Sequence, residues 1–122
     1  MNKNKESTRY FSDAHEKSVC KVTGSKQQSN SGASLFSAGD VINKGASILI
    51  ECKTAMSNKN SFSIKKEWIE KSREEKFSQR VSNSCIAFNF GPGQENFFVI
   101  DEKLMQFLID KLTEETRKED II

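Results

Sequence analysis

Histidine, proline, tryptophan and tyrosine each occur once in the 122 residues. With His15 alone, a metal centre built on several imidazoles is excluded, and no serine- or cysteine-nucleophile arrangement is visible. Cys20, Cys52 and Cys85 are odd in number and widely spaced, so neither a disulfide framework nor a zinc site is implied. No apolar run approaches the roughly 18 residues of a membrane span. The first residues, Met1-Asn2-Lys3-Asn4-Lys5-Glu6, lack the apolar core of a signal peptide. These absences predict a reduced, cytoplasmic protein without a membrane partner.

What is present is polar for a compact domain: 35% hydrophobic against 30% charged residues. The length suits one small domain with a single core. Residues 1–9 read as a disordered tail, 10–113 as the domain and 114–122 as a charged, fraying tail. Net charge is only +2, but it is unevenly spread. Eight lysines lie between Lys17 and Lys66, where the only acids are Asp40 and Glu51; from Gln94 onward there are eight acids and four basic residues. A basic surface around two acids suits a polyanionic partner as well as it suits a solvated lysine-rich face.

The most informative stretch runs from Gly39 to Lys53. Asn43-Lys44-Gly45 is a turn signal between two β-branched runs, which predicts a hairpin of about residues 39–43 and 46–53. Side chains along a strand alternate, so Glu51 and Lys53 share one face, roughly 7 Å apart. A two-residue Lys44-Gly45 loop would set Asp40 opposite Leu49, on that same face. Two carboxylates and a lysine would then meet at a sheet end, able to hold a hard divalent cation and steady a phosphate ester. An edge strand ending in solvated charges is the alternative.

Apolar Phe11, Ala14, Val19 and Val22 predict a helix over about 10–23, with Gly24 as its left-handed cap and Glu16 beside the apolar face. His15 reads as a surface residue of that helix. Residues 25–34 are rich in hydroxyls and amides; Lys26, Gln28 and Ser29 can donate to phosphate oxygens, or the segment can be a linker. A helix follows over about 65–79, its thin apolar stripe made by Trp68, Ile69 and Phe77. Its Lys65, Lys66 and Arg73 can meet DNA phosphates, although Glu67, Glu70, Glu74 and Glu75 equally pair with such groups. Trp68 reads as core. Residues 85–90 and 96–100 read as paired strands around Gly91-Pro92-Gly93. Leu104, Met105, Phe107, Leu108 and Leu112 mark a last helix, expected to cover one sheet face.

The order helix, three strands with Asp and then Glu-x-Lys, helix, two strands, helix resembles the PD-(D/E)xK nuclease superfamily. It most resembles the small archaeal and phage Holliday junction resolvases. The matching residues are Glu16, Ser31-Gly32, Gly39-Asp40, Ile48-Leu49-Ile50-Glu51-Cys52-Lys53, Ile64-Lys65-Lys66-Glu67 and Asp101-Glu102-Lys103-Leu104, with Gly39 where the motif name has proline. The resemblance implies an α/β fold: a restriction-endonuclease-like core, a mixed central sheet flanked by helices. It implies Mg²⁺ or Mn²⁺ held by Asp40, Glu51 and the Cys52 backbone carbonyl, with Glu16 reaching the metal directly or through water. Lys53 would position and help deprotonate the attacking water, and Ser31 would contact the scissile phosphate. The implied activity is endonucleolytic hydrolysis of branched DNA by a homodimer, in a host's cytoplasm if the chain is phage-encoded. A nicking or duplex-cutting phage-type endonuclease, able to act as a monomer, and a non-catalytic DNA-binding module with the same fold are the competing expectations.

Overall fold

A computed structural model describes residues 2–28 and 40–121, with position 40 described by its backbone. Helix α1 (Asn2–Thr23) leads into strands β1 (Lys26–Gln27), β2 (Asp40–Asn43) and β3 (Ile48–Lys53). Helix α2 (Lys66–Ser78), strands β4 (Asn83–Phe88) and β5 (Phe97–Val99) and helix α3 (Glu102–Ile121) follow. The strands form one mixed sheet in the order β1-β2-β3-β4-β5, antiparallel except for the β3–β4 pair. The element order matches the expected one. Helix α1 starts at Asn2 and α3 runs to Ile121. Residues 2–23 contain neither glycine nor proline to break a helix. In α3, the Lys111–Glu114 and Glu115–Lys118 pairs, three residues apart, support the last turns.

Helix α1 ends as its sequence predicts. Gly24 adopts φ +67°, and the Ser25 N–H donates to the Cys20 carbonyl at 3.1 Å, closing a left-handed cap. The Asn43 side chain then ties this cap to the hairpin: its amide donates to the carbonyls of Thr23 and Gly24, each at 3.2 Å. Its Oδ1 accepts from the Ala46 N–H at 2.9 Å, which shapes the turn.

Alternation along β3 divides the core. Val41, Ile50, Cys52, Cys85 and Ala87 pack with Val19 of α1 on one face. Leu49, Glu51 and Lys53 belong to the other, where α2 lies over β3 and β4. α2 closes on a second left-handed cap, with Arg80 at φ +58° and the Val81 N–H donating to the Lys76 carbonyl. Helix α3 does not cover a sheet face as expected. Asp101 caps it, its Oδ1 accepting from the Leu104 N–H at 2.9 Å, but beyond this root α3 has no more than marginal contact with other elements among the described residues. The two helix positions against the sheet are filled by α1 and α2, and β5 is only three residues long.

Candidate active site at the β2–β3 hairpin

The hairpin closes with a four-residue turn over residues 44–47 rather than a two-residue loop: Asn43 pairs with Ile48, and Ser47 at φ +55° donates to the Lys44 carbonyl at 3.2 Å. Two extra turn residues slide the register by two, so Asp40 faces Glu51 and not Leu49. Because the side-chain period is two, a slip of two keeps the face, and position 40 still falls on the Glu51 face of the sheet.

Glu51 is buried, at 5% exposure, in the middle of the β2-β3-β4 triple. Lys53, two residues on, sets Nζ 3.2 Å from Glu51 Oε1. The other carboxylate oxygen, Oε2, is buried with no hydrogen-bond partner among the described residues. A buried anionic oxygen without a donor is costly unless a cation compensates it. Hard oxygen donors are what Mg²⁺ or Mn²⁺ takes, so Glu51 Oε2 and the facing Asp40 position fit such an ion. Among the described residues no three His, Cys, Asp or Glu side chains form a metal-binding group, and Asp40's side chain lies outside that description. Cys52 lies between the two site residues in β3, with its side chain turned into the α1-face core.

Lys53 is held from a second direction. Its Nζ lies 4.5 Å from the centroid of the Trp68 ring, on the first turn of α2, and Lys65 Nζ lies 5.7 Å from the same ring. Phe62 backs Trp68 and stacks on Phe88, the residue paired with Lys53 across the parallel ladder. Trp68 is therefore a platform for the site lysine and not only core. Its sequence signal was spacing alone: it opens the helix that follows the Glu-x-Lys strand.

The other predicted residues divide by face. Glu16 is on the α1 side, where Gln27 donates to its Oε1 at 3.3 Å and to Asp13 Oδ1 at 3.0 Å. Burial pushes its carboxyl above the usual range, with Gln27 opposing and Asp13 adding to the rise. Its contacts are with Gln27 and Asp13, not with Glu51 or Lys53. Gln28 follows Gln27, the partner of Val41, and its Oε1 is buried without a hydrogen-bond partner among the described residues. Lys26 is exposed on β1, and Lys65 and Lys66 are exposed at the α2 N-terminus beside Trp68. Arg73 stands two turns further along α2, paired with Asp101 at 3.6 Å on the wall of a cavity of about 220 Å³ between α2 and β5. Ser29 and Ser31 lie outside the described residues.

His15 is buried, at 4% exposure, contrary to the surface reading. Nδ1 lies 2.9 Å from Thr54 Oγ1, and Nε2 has no hydrogen-bond partner among the described residues. It lines a cavity of about 90 Å³ with Asn89, whose Oδ1 is likewise buried and unpaired. That space is large enough for a water to bridge these two polar groups. Burial lowers the His15 pKa, with Asn96 opposing.

No helix is long and apolar enough to cross a membrane among the described residues. No family model matches the chain, and no curated protein or solved structure matches it.

Proposed function

We propose that this chain is a metal-dependent DNA endonuclease of the PD-(D/E)xK type, hydrolysing phosphodiester bonds in branched DNA. The observation that carries the reading is the β2–β3 register: Asp40 opposite Glu51, with Lys53 3.2 Å from a Glu51 oxygen whose sister oxygen is buried and unpaired among the described residues. Asp40, Glu51 and the Cys52 carbonyl would hold Mg²⁺ or Mn²⁺, which supplies charge neutralisation at the scissile phosphate and activation of water. Glu51 fixes the Lys53 ammonium through their ion pair, and Trp68 holds it from the other side. So placed, Lys53 orients the attacking water and stabilises charge growing on the phosphoryl oxygens. Glu16, held by Gln27 on the α1 face away from Glu51 and Lys53, is left out of the metal site, and Ser31 would touch the phosphate. Lys26, Gln28, Ser29, Lys65 and Lys66 would bind the flanking backbone by charge and hydrogen bonding, and Arg73 would do so on leaving Asp101. Symmetric cuts in two strands need two such sites, so the working unit is a homodimer.

The test is cleavage of a labelled four-way junction, linear duplex and single strand, each with Mg²⁺ and with EDTA. Junction-selective, Mg²⁺-dependent cutting is expected, with Lys53→Ala lowering it by about 10²-fold or more. Wild-type rates for Lys53→Ala would remove the mechanism. Tight DNA binding without cleavage in any divalent metal would make the chain a binding module.

A further inference from the structure

We infer that the cavity between α2 and the β4–β5 side of the sheet binds a small hydroxyaromatic carboxylate, its ring among apolar walls, its hydroxyl on Ser72 and its carboxylate on Arg73. The cavity holds about 220 Å³ and is walled by Ile69, Ile86 and Val99. Ser72 is the one buried residue of α2, at 2% exposure. Its side chain lines this space, and its Oγ has no hydrogen-bond partner among the described residues.

A serine is an unexpected residue there. A helix packed on a sheet turns large apolar side chains inward, and a leucine at position 72 would occupy much of the space that the serine leaves open. A helical serine can return its hydroxyl to the carbonyl one turn back, and Ser72 makes no such bond among the described residues. The site therefore keeps both room and an uncommitted hydroxyl. A buried hydroxyl left unpaired is destabilising, so a partner that reaches it from inside the cavity is favoured. Size sets the class of that partner. Roughly 150 Å³ of apolar space takes a benzene ring, so the larger space here takes one ring with a polar substituent. Water filling it would meet few polar partners against three branched apolar side chains.

Charge at the mouth selects an acid. Arg73 and Asp101 stand there, with side chains 53% and 35% exposed. One guanidinium nitrogen of Arg73 lies 3.6 Å from Asp101 Oδ2, a long contact, while Asp101 Oδ1 accepts from the Leu104 N–H at 2.9 Å. Asp101 is thus committed to the α3 cap and offers Arg73 a single oxygen. A ligand carboxylate can offer two, which match the guanidinium fork. The ligand's hydroxyl then lies at the buried end and its carboxylate at the open end, so no charge enters the apolar interior.

Neither metal nor DNA enters the measurement, so it stands or falls apart from the nuclease reading. Para-hydroxybenzoate is the probe, titrated into the full chain by calorimetry and by amide chemical shifts. With about ten non-hydrogen atoms, it should saturate with a dissociation constant on the order of 1 mM or tighter. The shifted amides should be those of residues 69–73, 84–86 and 99–101. Benzoate, which lacks the hydroxyl, and para-hydroxybenzamide, which lacks the charge, should each bind about 2- to 10-fold more weakly. Ser72→Ala should weaken para-hydroxybenzoate to the level of benzoate and leave benzoate itself unchanged. Arg73→Gln should likewise bring the acid down to the amide while sparing the amide. Shifts that never saturate, or that map outside the cavity, overturn the inference. So does an amide that binds as tightly as the acid, or a Ser72→Ala variant that weakens benzoate and para-hydroxybenzoate alike.

Discussion

Lys53 is clamped between a buried carboxylate and an indole face, and the two contacts do different work. The ion pair with Glu51 sets the ammonium within the site; the Trp68 ring limits where it can swing. A cation over an aromatic face contributes about 0.5–2 kcal/mol, so Trp68→Ala should slow cleavage by roughly 2- to 30-fold while leaving DNA affinity near wild type. Trp68→Phe should recover most of the rate, because a ring face remains. Equal losses in both variants, or a loss confined to affinity, would contradict a positioning role. His15 carries a separate prediction. Burial disfavours its imidazolium, so its folded pKa lies below the ordinary 6.5 and the unfolded chain takes up the proton first. This contribution to stability is complete above pH 6.5 and falls as pH drops from there towards the folded pKa. Urea midpoints measured across pH 5–7.5 should show that slope, and His15→Gln should reduce it. Glu16 acts in the opposite sense. Its carboxyl pKa is raised by burial from 4.5, so its contribution declines as pH rises through the interval above that value.

At the scale of elements, caps and turns decide geometry. Gly24 at φ +67° has open space around a would-be Cβ, so Gly24→Ala meets no neighbour, and its cost is the strain of an L side chain held in the left-handed region. The expected cost is about 1 kcal/mol, seen as a lowered urea midpoint at unchanged m-value. The turn at residues 44–47 shows how far local signals reach. Asn43-Lys44-Gly45 correctly marks a reversal, but not its length: Asn43 Oδ1 accepting from Ala46 and Ser47 in the left-handed region make four residues, not two. The Glu51 face survived that misjudgement only because the error was an even number. The cap at Gly24 was easier to read, since it acts within a few residues of itself; the cap at Asp101 is visible only in the structure.

For the whole molecule, the ion proposed at Glu51 would link metal binding to stability. A ligand binding only the folded state at 10-fold over its dissociation constant adds about 1.4 kcal/mol. Mg²⁺ or Mn²⁺ should therefore raise the melting temperature by several degrees. Glu51→Gln should shrink that rise sharply, and an unchanged rise in this variant would place the ion elsewhere. The same scale explains what sequence reading missed. Helical periodicity in α3 identifies an apolar stripe but is silent about what meets it. With α1 and α2 already over the sheet, that stripe is left outward. Burial of His15 follows likewise from β3 and the loop after β4 closing over α1, a contact across 39 residues.

What the chain's own order determined is whatever depends on near neighbours: where helices and strands fall, the cap at Gly24, and the shared face of Glu51 and Lys53, which the two-residue period of a strand enforces. Tertiary structure decided the rest, because each item needs distant segments to meet. The β2–β3 register put Asp40 opposite Glu51, the β2 and β4 strands buried that carboxylate, α2 brought Trp68 over Lys53, and the occupied sheet faces left α3 uncovered.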